Sequence, residues 1–136
     1  MPARNGQLGR LLWRHAKGPL HRGMASVLAT LGNGSETIGR LAEREGVAQP
    51  TLTRMVERLE AEGLVSRERR ADDARVVVVS LTPAGQRELD ELRERYLAVL
   101  GERLEHLPDR ELAEIRAACD AIQVLVDALQ PPSRDR

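Results

Sequence analysis

The chain has 136 residues, enough for one domain with its own hydrophobic core, and almost no aromatic side chains, so that core must be aliphatic. Its 21 basic residues balance 21 acidic ones, which by itself argues mildly against nucleic-acid binding, because a DNA-binding protein usually has an excess of basic residues. A single cysteine excludes an intrachain disulfide, and no apolar run reaches the length of a signal peptide or a membrane span. We therefore expect a cytoplasmic protein.

Two helices are predicted before the central part of the chain. An apolar face predicts the first over residues 7–17, with residues 1–6 frayed, and Gly18-Pro19 should end it. The second should run from about Leu20 to Leu31, where Gly32-Asn33-Gly34 stops it.

A pair of helices joined by a glycine turn follows. Thr37 should cap a third helix that runs through Glu45, and Gly46 should form the turn. The next helix, which we call the reading helix, begins near Gln49 and should end before a left-handed Gly63. The expected buried positions of the second, third and reading helices recur at intervals of three and four: Met24, Val27, Leu28, Leu31, Ile38, Leu41, Ala42, Leu52, Val56 and Leu59.

A charged hairpin is predicted directly after the reading helix. Residues 64–67 and 76–81 are β-prone, and the polar segment 69–75 between them is turn-like. A helix that can enter a major groove, next to a hairpin that can reach the adjacent minor groove, is a winged helix-turn-helix. The predicted fold is therefore mainly α with a small β-wing.

Two further helices are predicted in the C-terminal part. Thr82-Pro83 should open a long helix to about His106, and a last helix should follow Pro108 and end before Pro131-Pro132. The last helix carries an apolar stripe with a coiled-coil spacing: Leu112, Ile115, Cys119, Ile122, Val126 and Leu129. Such a stripe requires a partner helix, either the long helix before it or a second copy of the chain.

Four motifs in fixed order resemble the MarR family of bacterial transcription regulators. They are QPTLTRMV at 49–56, GLV at 63–65, DDAR at 72–75 and LTPAG at 81–85. The resemblance implies a homodimer, a palindromic operator and often a small-molecule or oxidant signal that releases DNA. The predicted first helix is shorter than in most relatives, where it packs into the dimer interface and lines the ligand pocket.

The domain organisation follows from this resemblance. Residues 1–136 would form a single MarR-like domain, in which 20–82 is the winged helix-turn-helix. The dimerisation helices would be 7–17 and 83–130, and 131–136 would be a tail.

Candidate DNA contacts lie on the open face of the reading helix and in the hairpin: Gln49, Pro50, Thr51, Thr53, Arg54, Arg58, Arg69, Arg70 and Arg75. Arg54 should contact a base or a phosphate, although it could be a solvated helix residue. Thr51 and Thr53 could contact DNA or cap the helix. Arg69 and Arg70, like Arg67, would make nonspecific phosphate contacts or only keep the hairpin soluble.

The resemblance places Arg75 at the tip of the wing, in a minor groove. In the alternative, Arg75 pairs only with Asp73. Asp72 and Asp73 are expected to shape the turn and to hold Arg75 in position, without touching DNA.

The remaining candidates concern sensing. Cys119, on an apolar stripe, should be a buried and inert thiol. Trp13 and Tyr96 are core residues or, alternatively, line a pocket for an aromatic or phenolic effector. The three histidines lack metal-ligand spacing, so neither a metal site nor a cofactor is expected.

We therefore predict a DNA-binding regulator, most simply a repressor, that binds a near-palindromic operator as a homodimer. Across residues 38–80 arginines and acidic residues are equal in number, which keeps open a winged-helix module that binds proteins instead. No phosphate loop, nucleophile elbow or histidine-centred constellation is found, so an enzyme is not expected.

Overall fold

The computed structural model describes residues 2–16 and 18–129, with side chains from residue 7 onward. Within them the elements follow in the order α1 (Pro2–Ala16), α2 (Arg22–Leu31), β1 (Glu36–Thr37), α3 (Ile38–Glu45), α4 (Gln49–Ala61), β2 (Val65–Arg69), β3 (Val77–Leu81), α5 (Pro83–Leu104) and α6 (Asp109–Leu129). None of the helices in these two stretches is long and apolar enough to cross a membrane. The predicted architecture, helices with one small antiparallel sheet, is confirmed.

The predicted starts and stops of the central helices are confirmed. The hydroxyl of Thr37 accepts a hydrogen bond from the backbone N–H of Arg40 (3.4 Å), which caps α3. Gly46 and Gly63 adopt left-handed conformations with φ of 63° and 73°, and each follows the end of a helix. The helix-turn-helix is therefore formed by α3 and α4, and α4 is the reading helix.

The first helix is longer than the sequence indicated. It begins at Pro2, so the predictions of a start at Gln7 and of frayed residues before it are wrong for residues 2–6. Proline suits a first helical position because its missing N–H has no partner there in any case. A glycine inside a helix, such as Gly6, costs only about 1 kcal/mol, which does not end the helix.

The three strands form an antiparallel sheet in the order β1-β3-β2. Strands β2 and β3 correspond to the two predicted strands, and Val79 of β3 faces Glu36 on one side and Arg67 on the other. Strand β1 was not predicted. Two residues are too few to show the alternation of a strand, and they become one only because β3 lies beside them.

The predicted core is confirmed. All ten expected positions of α2, α3 and α4 are buried, with exposures of 0–9%, and Val65 and Val79 of the sheet join them. This cluster fixes the reading helix against α2, α3 and the base of the hairpin.

The chain divides into two compact units, residues 1–99 and 100–136. The first contains the helix-turn-helix and the sheet, and the second contains α6. Helix α5 begins in the first unit and ends in the second.

Candidate nucleic-acid interface

The reading helix turns one face to the core and the opposite face to solvent. Leu52, Val56 and Leu59 are each 0% exposed. This burial fixes the rotation of α4 about its axis. Exposed residues on the other side include most of the predicted contacts: Gln49, Pro50, Thr51, Arg54 and Arg58.

Thr53 is half-buried and bonds to the backbone of its own helix one turn earlier. Its hydroxyl donates a hydrogen bond to the carbonyl oxygen of Gln49 (2.9 Å). A hydroxyl oxygen that donates its proton keeps lone pairs that can accept, so Thr53 can still accept from a base or a water.

The reading helix and the wing meet at one groove. Gln49 and Thr53 of α4 line it together with Arg75 of the hairpin, and its volume is about 270 Å³. Thr37, the N-cap of α3, and Ile38, its first residue, also line the groove. Two predicted contacts of the helix and the predicted contact of the wing thus share one surface.

Arg75 is bound through its backbone and not through its side chain. Its N–H donates to Oδ1 of Asp73 (3.0 Å), a local bond that shapes the turn. Within residues 7–16 and 18–129, its guanidinium has no carboxylate within the 4.0 Å limit of an ion pair. The interaction with Asp73 therefore leaves the arginine charge available.

Asp72 pairs with Arg70 and not with Arg75, which corrects the expectation that both aspartates hold Arg75. Nε of Arg70 donates to Oδ1 of Asp72 (2.9 Å), and Nη2 donates to Oδ2. The hydrogen bond from the guanidinium lowers the pKa of Asp72 and raises the pKa of Arg70. Arg70 is thus engaged inside the wing.

The other predicted arginines also differ in whether a carboxylate is paired with them. Arg58 forms an ion pair with Glu62 one turn later on the exposed face of α4 (3.2 Å). Arg54 and Arg69 are exposed, and among the residues with described side chains no carboxylate lies within ion-pair distance of either. Arg54, Arg69 and Arg75 are therefore the predicted contacts whose charge is uncommitted.

A joint between the reading helix and α5 was missed by sequence reasoning. The hydroxyl of Thr82 donates to the carbonyl oxygen of Gly63 (2.6 Å) and accepts from the N–H of Gly85 (3.1 Å), while the N–H of Thr82 donates to the carbonyl oxygen of Leu64 (3.1 Å). Gly85 is buried, and a Cβ there would lie 1.9 Å from the carbonyl oxygen of Leu64. The motifs GLV and LTPAG are the two sides of this joint.

The apolar stripe of α6 is largely exposed among the residues that the structure describes. No residue of α6 is buried in the part of the chain that the structure describes; only Leu112 is half-buried. Ile115, Ile122, Val126 and Leu129 are 41%, 49%, 41% and 83% exposed. Cys119 is exposed as well, so the described residues do not bury its thiol as expected.

The two aromatic residues are far apart in the sequence of the first unit: Trp13 lies in α1 and Tyr96 lies in α5. Both are half-buried. Burial raises the pKa of the Tyr96 hydroxyl, and the positive charge of Arg22 partly opposes that rise.

Helix α4 follows α3 after a glycine turn and has an exposed face, and the hairpin after it carries arginines. This arrangement defines the class of the winged helix-turn-helix DNA-binding proteins.

Comparison with known proteins gives the family. Residues 24–77 match the model of the MarR family. An HTH-type transcriptional regulator of Mycobacterium tuberculosis (strain CDC 1551 / Oshkosh) is 35% identical over 119 residues, which cover 87% of this chain and 83% of that protein. The chain belongs to the MarR family. Regulators of this family bind DNA and are not enzymes, which confirms the prediction about catalysis.

Solved structures agree with this assignment. Wild-type MarR from E. coli in its apo form is 25% identical with a TM-score of 0.74, over 87% of this chain and 90% of that one. The PcaV transcriptional regulator from Streptomyces coelicolor, solved in complex with its natural ligand, is 26% identical with a TM-score of 0.65, over 95% of this chain and 91% of that one.

Proposed function

We propose that the protein is a transcriptional repressor that binds a near-palindromic operator as a homodimer. The observation that carries this proposal is the groove shared by Gln49, Thr53 and Arg75. A helix whose open face enters the major groove would place the adjacent hairpin over the minor groove, where a narrow A·T tract attracts an arginine. The uncommitted guanidinium of Arg75 suits that position.

The dimer is proposed from the apolar stripe of α6. Five of its six members are exposed in the single chain, and exposed apolar area of this extent marks an interface. A second copy would supply the same stripe, since a two-fold interface is self-complementary. Two reading helices would then enter successive major grooves about 34 Å apart. Repression would follow because a bound dimer excludes RNA polymerase from an overlapping site.

DNA binding is tested by selecting duplexes from random sequence with the wild-type protein and then titrating salt. Affinity should fall steeply with salt because bound arginines release condensed counterions. The variant Arg54→Ala should bind the selected duplex less tightly than Arg116→Ala, which removes the same charge from an exposed site on α6. No selectable, salt-dependent duplex binding by the wild type would refute the proposal and favour a protein-binding module.

The dimer is tested by sedimentation of Ile122→Glu against Ala113→Glu. The two positions lie on opposite sides of α6 because nine residues turn a helix by about 180°. Ile122→Glu should dissociate the dimer and abolish operator binding, since two half-sites could no longer be held together. Ala113→Glu should leave both intact. A folded wild-type monomer at micromolar concentration would contradict the dimer.

We also propose an aromatic carboxylate or phenolic effector near Trp13 and Tyr96. Half-buried aromatic rings offer stacking surface, and Arg22 brings a positive charge near Tyr96. The structure of PcaV in complex with its natural ligand supports the proposal, because it shows a protein of similar fold that binds a ligand. Trp13 is the only tryptophan, so benzoate and salicylate should quench its fluorescence and weaken DNA binding, whereas cyclohexanecarboxylate should act weakly. Unchanged fluorescence and DNA binding would refute this effector class.

A further inference from the structure

We propose that Glu60 and Arg67 form a clamp that sets the orientation of the wing on the reading helix, and that Arg67 is a positioning residue and not a phosphate contact. This inference rests on the proposed DNA binding. It gives Arg67 a role that its position in a basic hairpin does not suggest.

The contact joins the two DNA-binding elements directly. Nε of Arg67, on β2, donates to Oε2 of Glu60, on α4 (2.8 Å), and Nη2 reaches the same oxygen. Nη1 lies 3.8 Å from Oε1 of Glu57, one turn earlier on α4. Among the side chains that the structure describes, these are the ion pairs between α4 and the hairpin.

The register of the sheet points Arg67 at the helix. Side chains alternate along a strand, so Arg67 shares a face with Val65, which is 3% exposed and packs in the core. The side chains of Arg67 and Glu60 are only about a third exposed, at 32% and 36%. Arg67 is therefore turned towards α4 and away from the outer surface of the wing.

The guanidinium of Arg67 is already paired with the carboxylate of Glu60. Its hydrogen bond lowers the pKa of Glu60, and the carboxylate in turn raises the pKa of Arg67. A phosphate contact by Arg67 would use its remaining N–H groups, and it would bring the phosphate close to the carboxylates of Glu60 and Glu57, which repel it. Arg69, on the same strand face but without a carboxylate at ion-pair distance among the described residues, can reach a phosphate without that repulsion.

The clamp lies near the base of the hairpin, where a small rotation of the hairpin would move its tip by a large distance. Strand β1 pairs only with Val78 and Val79, which lie opposite Glu68 and Arg67, so towards the tip of the hairpin the sheet narrows from three strands to two beyond Glu68. A two-stranded ribbon twists more strongly than a wider sheet. Arg75 is carried by this narrower part, and its position over the minor groove depends on how the base of the hairpin is held.

The test compares Glu60→Gln, Arg67→Gln and the double variant on the duplex selected by the wild type, with Glu68→Gln as control. Glu68 is exposed on the neighbouring position of β2 and has no ion-pair partner among the described side chains. Removing a negative charge near DNA should by itself tighten binding, and Glu68→Gln should show that effect or none. Glu60→Gln should instead weaken binding by about threefold or more, as should Arg67→Gln, and the double variant should be no weaker than the weaker single one.

Two readouts separate positioning from loss of stability. The urea midpoints of the variants should stay near that of the wild type, because a partly exposed ion pair contributes little to folding. In an Arg75→Ala background, Glu60→Gln should have a smaller effect on DNA binding, since the wing has then lost its minor-groove contact and keeps only the phosphate contact of Arg69.

The opposite result is well defined. If Arg67 is a phosphate contact restrained by Glu60, Glu60→Gln will tighten binding and steepen the salt dependence by about one counterion. That outcome overturns the clamp while leaving the proposed function intact. Failure of the wild type to bind any duplex would overturn the proposed function itself.

Discussion

Replacing Gly85 with alanine should destabilise the protein through a single atom. A Cβ at this position would lie 1.9 Å from the carbonyl oxygen of Leu64 and 2.9 Å from its carbonyl carbon. Both are backbone atoms, so no flexible side chain can move aside, and α5 must shift by about 1 Å or more in a densely packed interior.

The magnitude follows from three contributions. Overpacking costs about 1–3 kcal/mol. The shift also stretches the hydrogen bond from Thr82 to Gly63, worth about 1 kcal/mol. Alanine returns about 1 kcal/mol over glycine inside a helix. The free energy of unfolding should therefore fall by about 1–3 kcal/mol.

The assay is urea denaturation followed by circular dichroism at one protein concentration, because the proposed dimerisation would make stability concentration-dependent. Gly39→Ala is the matched control. Gly39 lies inside α3, and a Cβ there would meet nothing within 4 Å, so the same substitution should stabilise by up to about 1 kcal/mol. A Gly85→Ala protein as stable as Gly39→Ala would refute the close approach of α5 to Leu64.

Three further outcomes are expected. Arg54→Ala should cost about 1–3 kcal/mol of binding per half-site and relax base preference within it, whereas Arg75→Ala should flatten the preference for flanking A·T tracts; binding to operators altered in half-sites or flanks separates the two. Gly63→Ala, at φ 73°, should lower the free energy of unfolding by about 1–2 kcal/mol in urea denaturation, and an unchanged midpoint would contradict the left-handed cap. Tyr96 is the only tyrosine, so its phenolate absorbance should titrate above the ordinary pKa of 10.0 in the folded protein and at that value in denaturant. Since burial raises the folded-state pKa, stability should fall as the pH rises past 10.0, and Tyr96→Phe should remove that part of the loss.

The sequence alone determined the central helices and their core. Thr37, Gly46 and Gly63 act on their own neighbours in the chain, through a cap or a left-handed φ, so their roles can be read without tertiary information. The spacing of apolar residues in α2, α3 and α4 likewise predicts which face of each helix is buried, because residues three or four apart lie on the same face. The motifs in fixed order indicated the family by their resemblance to known members.

Partners that are distant in sequence were decided only by the tertiary structure. Strand β1 exists because β3 lies beside it, and the contact of Gly85 with Leu64 joins segments 21 residues apart. Even within the hairpin, the sequence could not show whether Asp72 pairs with Arg70 or with Arg75, because both arginines are close to it in the chain. An ion pair near the surface changes the free energy of unfolding by little, so the sequence does not reveal which pair forms. The register of the strands and the packing of the core beneath them determine the pair.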